Sequence, residues 1–180
     1  MSTYITLLRG INVGGHNKLP MKELVGLLED LGFHNVKTYI QTGNIVFKSG
    51  KNAAELAESI KTEIEQNHGF APHVLVLKLD EFKKAMASNP FAEAESEPKT
   101  LHLYFLDAEP KNPDLESLEN IKKDNERFML KGKTFYLHTP EGVGRSKLAA
   151  RAEKALGVAA TARNWRTVDK IRVITEEMEH

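Results

Sequence analysis

Cysteine is absent from the 180 residues, which excludes disulfides, cysteine nucleophiles, iron–sulfur clusters and cysteine-based zinc sites. Long apolar runs are absent as well, so no segment reads as a bilayer-spanning helix. The opening Met1-Ser2-Thr3-Tyr4 lacks the basic region, apolar stretch and small-residue cleavage site of a secretory signal. There is no net charge, because 25 Lys and Arg offset 25 Asp and Glu. That balance argues against a disordered chain and against a polycationic, tail-driven nucleic-acid binder. What is present is a 41% hydrophobic content, enough to build one compact domain or two small ones. The expectation is a soluble, cytoplasmic protein with no cofactor and no membrane partner.

The overall neutrality hides an uneven distribution. Residues 1–78 hold eight basic and seven acidic side chains, residues 79–130 seven and twelve, and residues 131–175 ten and three. An anionic partner is therefore sought first in the late basic segment.

Along the chain, Thr3 to Leu8 reads as a buried strand ending at Arg9-Gly10. A polar Gly-rich loop runs to Lys18, Pro20 suits a first helical position, and Met21, Leu24, Leu27, Leu28 and Leu31 recur at helical spacing. Val36–Ile40 and Ile45–Phe47 are two strands about the turn Gln41-Thr42-Gly43-Asn44. Asn52 with Glu55 forms a capping box before Leu56, Ile60 and Ile64, and His73 to Leu77 closes the pattern as a strand. This βαββαβ order is the ferredoxin-like unit. A short helix from Asp80 and an acidic connector from Glu93 to Lys99 follow. The second half repeats the theme more irregularly: strand 101–106, helix 113–122, a hairpin about Lys131-Gly132-Lys133, a helix after Gly144, and a strand 158–163. Asn164 caps a last helix. The fold class expected is α/β of the α+β type. Two ferredoxin-like units at 1–78 and 100–163 flank a connector at 79–99, and a C-terminal helix occupies 164–180.

In such a unit the loop after the first strand and the turn between the second and third share one sheet edge, which sets Arg9–Lys18 beside Gln41–Asn44. By the same connectivity Gly142–Lys147 lies beside Arg163–Arg166. The candidate ligand-binding residues are Arg9, Asn12, Gly14, Gly15, Asn17, Lys18, Gln41 and Asn44 in the first cluster. Ser146, Lys147, Arg163 and Asn164 form the second. Glycines let backbone amides face an anion, and helix starts offer unpaired N–H groups with partial positive charge. The first loop equally fits glycines serving tight turns and asparagines capping them. The expectation is one cleft between the units, lined by both clusters.

Other chemistries fail on spacing. The loop is neither a Walker A nor a Gly-x-Gly-x-x-Gly motif. Seven histidines show no metal-binding spacing, and paired acids are missing from both clusters. Trp165 and Phe91 are too sparse for a base-stacking platform.

Leu8-Arg9-Gly10-Ile11-Asn12-Val13-Gly14-Gly15, Gln41-Thr42-Gly43-Asn44, Asn89-Pro90-Phe91 and Thr161-Ala162-Arg163-Asn164-Trp165 resemble the bacterial domain-of-unknown-function family numbered 1697. Thr42 stands where that family more often has Ser, which keeps the hydroxyl. The resemblance implies a pair of ferredoxin-like units and brings no activity, cofactor or catalytic residue with it. The expected partner is a phosphate-bearing or other anionic ligand, a nucleotide or nucleic acid included. The alternatives are an enzyme acting on a small anionic metabolite, with Asn12, Gln41 and Lys147 as polarisers and His16 moving a proton, and a protein-interaction module. Oligomeric state is not readable from the sequence.

Overall fold

The computed structural model describes residues 1–179. Its contacts divide the chain into two compact units, Met1–Lys84 with the chain from Lys170 onward, and Ala85–Asp169. The first holds β1 (Ser2–Arg9), α1 (Met21–Asp30), β2 (His34–Tyr39), β3 (Asn44–Ser49), α2 (Ala53–His68) and β4 (His73–Lys78). α3 (Leu79–Ala87) follows. The second unit carries β5 (Leu101–Leu106), α4 (Leu115–Ile121), β6 (Arg127–Lys131), β7 (Thr134–His138), α5 (Lys147–Leu156) and β8 (Ala160–Asn164). α6 (Trp165–Glu179) ends the chain.

Both sheets are antiparallel and share one ferredoxin-like strand order, β2-β3-β1-β4 and β6-β7-β5-β8. The irregularity of the second unit lies in its connections, a seven-residue α4 and a 3-10 turn at Val143–Arg145, and not in strand order. No helix among the described residues is long and apolar enough to cross a membrane.

The periodicities explain the cores. Leu24 and Leu28 of α1 and Leu56, Ile60 and Ile64 of α2 pack on Tyr4, Leu8, Ile45 and Phe47 of the first sheet. Leu118, Leu148, Ala152 and Leu156 do the same for Tyr104, Leu106, Phe135 and Leu137 in the second. The Asn52 capping box forms both of its hydrogen bonds. Pro20 departs from expectation by one position. With φ −60° and ψ 135° it precedes α1 as the capping residue, because an extended ψ cannot continue into the first helical turn.

Candidate functional site

The register of the first sheet brings the two expected loops together. Leu7 pairs with Asn44 and Tyr39 also pairs with Asn44, so β1 ends where β2 turns into β3. Leu8 N–H donates to the Gly43 carbonyl at 2.8 Å. Gly43 has φ 90°, and a Cβ there would stand 2.6 Å from Leu8 Cβ. Only glycine lets the turn close this tightly on β1.

Asn12 holds the loop. Its amide nitrogen donates to the Leu19 carbonyl at 2.9 Å and to the Gln41 carbonyl at 2.8 Å, and its Oδ1 accepts from Leu19 N–H at 2.7 Å. Asn17 donates to the Gly10 carbonyl, and buried Asn44 to the Tyr39 carbonyl and Thr42 Oγ1. These three asparagines therefore hold main chain in place. Asn12 and Asn17 also take φ of 53° and 52°, a conformation asparagine tolerates better than most residues.

Within the loop, Val13 and His16 form an isolated antiparallel bridge closed by Gly14-Gly15 with φ 57° and 78°. This is a two-residue hairpin of the primed type, which demands positive φ at both central positions. The tip is open to solvent: Gly14, Gly15, His16, Asn17, Lys18, Arg9 and Gln41 are all exposed, and Val13 is 63% exposed. Across the Asn12–Gln41 contact, Ile40 is 47% exposed with φ 50°, an outlier for a β-branched residue. Sequence reasoning missed both features. The Gly-Gly pair carried a signal for the hairpin; nothing local signals a left-handed isoleucine.

In the second unit, His138 pairs with Leu101 and Asn164 with His102, so β7 and β8 both end beside the start of β5. Ser146 is buried and caps α5 by accepting from Ala149 N–H at 3.0 Å, and Asn164 caps α6 by accepting from Thr167 N–H at 3.0 Å. Lys147, Arg145 and Arg166 are exposed. Arg163 is half-buried, donates to the Ala162 carbonyl at 2.9 Å, and burial pushes its guanidinium down to about 10, still cationic at neutral pH. His102, beside Asn164, is pushed down to about 4 by burial. Its Nδ1 has no hydrogen-bond partner among the described residues.

One cluster went unanticipated. Arg127 lies over the Phe91 ring with its guanidinium carbon 4.5 Å from the centroid, pairs with Glu93, and donates from Nε and Nη2 to His138 Nδ1 at 3.2 and 2.9 Å. An imidazole accepting at Nδ1 is neutral there. Burial first, and the adjacent guanidinium second, hold His138 below the usual histidine range. Asn89 accepts from Phe91 N–H at 3.0 Å, so Asn89-Pro90-Phe91 places a ring under Arg127. Among the described residues, no group of three or more His, Asp or Glu side chains is arranged to hold a metal.

Comparison with known proteins agrees with the fold. The structure of the conserved bacterial protein SP0830 from Streptococcus pneumoniae is similar, with a TM-score of 0.69 and 28% identity. The match covers 96% of this chain and 98% of that one. No curated protein matches the chain. Residues 1–136 match the family described as a protein of unknown function, DUF1697. That span takes in both motif loops of the first unit and most of the second sheet, and the chain belongs to the DUF1697 family.

Proposed function

We propose that this is a cytoplasmic bacterial protein that binds a phosphate-bearing ligand, a nucleotide or a short single-stranded nucleic acid, at the loop edge of its first sheet. The carrying observation is electrostatic. Neither residues 1–22 nor residues 31–54 contain a single Asp or Glu, while Arg9 and Lys18 stand exposed at the locked loop pair. Loops that carry basic side chains and no acidic ones, held on a fixed scaffold, suit an anion. Gly14 and Gly15, without side chains, let a ligand approach the backbone at the hairpin tip. The enzyme alternative gains no support, because Asn12, cast as a polariser, gives both ends of its amide to the main chain.

The test is thermal shift with inorganic phosphate, ATP and a short oligothymidine, followed by titration of the labelled oligonucleotide at several salt concentrations. A ligand at about 100 times its Kd adds about 2.7 kcal/mol of stability. Two cations engaging a single strand give a log–log salt slope of about −1.4. Arg9→Ala and Lys18→Ala should each flatten that slope. No shift with any of the three probes at millimolar concentration refutes the proposal.

A further inference from the structure

Ladder register leaves β4, at one end of the first sheet, without a second strand partner. β4 sits at the end of the order β2-β3-β1-β4 and pairs only with β1. Because Leu8 N–H donates to Gly43, the even residues of β1 turn their main-chain groups toward β3, and Ile5, Leu7 and Arg9 turn theirs toward β4. The partners of those three are Leu77, Leu75 and His73. The main-chain groups of Val74, Val76 and Lys78 therefore point away from β1, and their N–H groups have no main-chain partner among the described residues.

Proteins commonly blunt such edges with bulges or charges. β2, at the other end of this sheet, has a register shift between His34 and Lys37, a left-handed Asn35 and the charge of Lys37. In the second sheet, β6 is bounded by Arg127 and Lys131, and β8 contains Arg163. Across Val74-Leu75-Val76-Leu77, β4 has neither charge nor bulge, and all four residues are partly exposed.

We propose that β4 pairs antiparallel with β4 of a second copy of this chain, joining two four-stranded sheets into one. A two-fold axis perpendicular to the sheet sets a residue opposite itself. Centring it on Val76 sets Val76 against Val76 and Val74 against Lys78, which uses all three outward-facing positions. Pro72, lacking an N–H, lies outside the paired stretch. The choice of a second copy over an unrelated peptide rests on charge. A groove beside Val74 is lined by Glu58, Lys61 and His73. This register sets Lys78 of the other copy opposite Val74, beside Glu58, twice over by symmetry.

The test is sedimentation velocity from about 1 to about 100 μM, with amide hydrogen exchange at both ends of that range. The expected species at high concentration has twice the 20.2 kDa mass of the chain. In it the Val74, Val76 and Lys78 amides exchange at least about tenfold more slowly than in dilute protein. Glu58 and Lys78 are exposed, so their substitution leaves the fold intact. Lys78→Glu should weaken association about tenfold or more, and adding Glu58→Lys should restore it. A 20.2 kDa species throughout, or a dimer whose three amides exchange at the dilute rate, overturns the proposal. A double variant no better than Lys78→Glu overturns the register.

Discussion

Replacing Gly43 with alanine separates two costs that usually arrive together. At φ 90° an L-residue is strained, which costs about 1–2 kcal/mol. The new Cβ would also stand 2.6 Å from Leu8 Cβ and 3.1 Å from both Leu8 Cγ and Ile11 Cδ1. Leu8 and Ile11 are buried, so neither can swing aside, and overpacking of this kind costs a further 1–3 kcal/mol or so. The expected loss is about 2–5 kcal/mol. Gly15 supplies the control, with φ 78° but nothing within 4 Å of the added carbon. Gly15→Ala should therefore cost only the conformational part, about 1–2 kcal/mol. Gly26 lies within α1 with open space around it, so Gly26→Ala should stabilise by about 0.5–1 kcal/mol. Urea unfolding followed by far-ultraviolet circular dichroism gives all three values. Equal losses for Gly43→Ala and Gly15→Ala would refute the steric part, and a destabilised Gly26→Ala would refute the logic of the series.

Asn12→Ala removes three hydrogen bonds to main chain and places alanine at φ 53°, so urea unfolding should show a loss of about 2–4 kcal/mol. His102 is neutral in the fold down to about pH 4, whereas in the unfolded chain it takes up a proton near pH 6.5. Its stabilising contribution is therefore complete above pH 6.5 and is lost as pH falls toward 4, by roughly 3 kcal/mol in all. His102→Phe should flatten the stability–pH curve across that window relative to the parent protein, and parallel curves would refute the assignment. If both loop clusters serve one ligand, Lys18→Ala and Lys147→Ala should weaken oligothymidine binding non-additively in a double-mutant cycle; additive losses would point to independent sites.

Much of the fold was legible because its signals are local. Asn52 with Glu55, Asn164 before Trp165, and the spacing of Leu56, Ile60 and Ile64 announce helices through short-range chemistry, and the βαββαβ order then implies the sheet. The proximity of Asn12 and Gln41 followed from connectivity alone. Their hydrogen-bonding roles did not, because an asparagine in a polar loop reads the same whether it faces a ligand or a carbonyl. Gly14-Gly15 reads equally as amides facing an anion or as a tight turn; the structure shows the turn, in a hairpin formed by the flanking Val13 and His16. The Phe91–Arg127–His138 cluster was invisible because long-range pairing, not spacing, sets Arg127 against His138 and under it the ring of Phe91.

The discontinuity of the first unit has a consequence for synthesis. Its first 84 residues leave the ribosome early, but the stretch from Lys170, which completes it, comes only after all of Ala85–Asp169. At about 5–20 residues per second that interval is several seconds or more. Throughout it, Asn35, Lys37 and Thr38 of β2 lack Ile174 and Met178, which border the same groove in the finished fold, and Lys83 lacks Glu179. The second unit is continuous in sequence, so the half of the protein made first is the half completed last. A released chain that stops at Asp169 should accordingly be open to proteases at β2 while its second unit resists them.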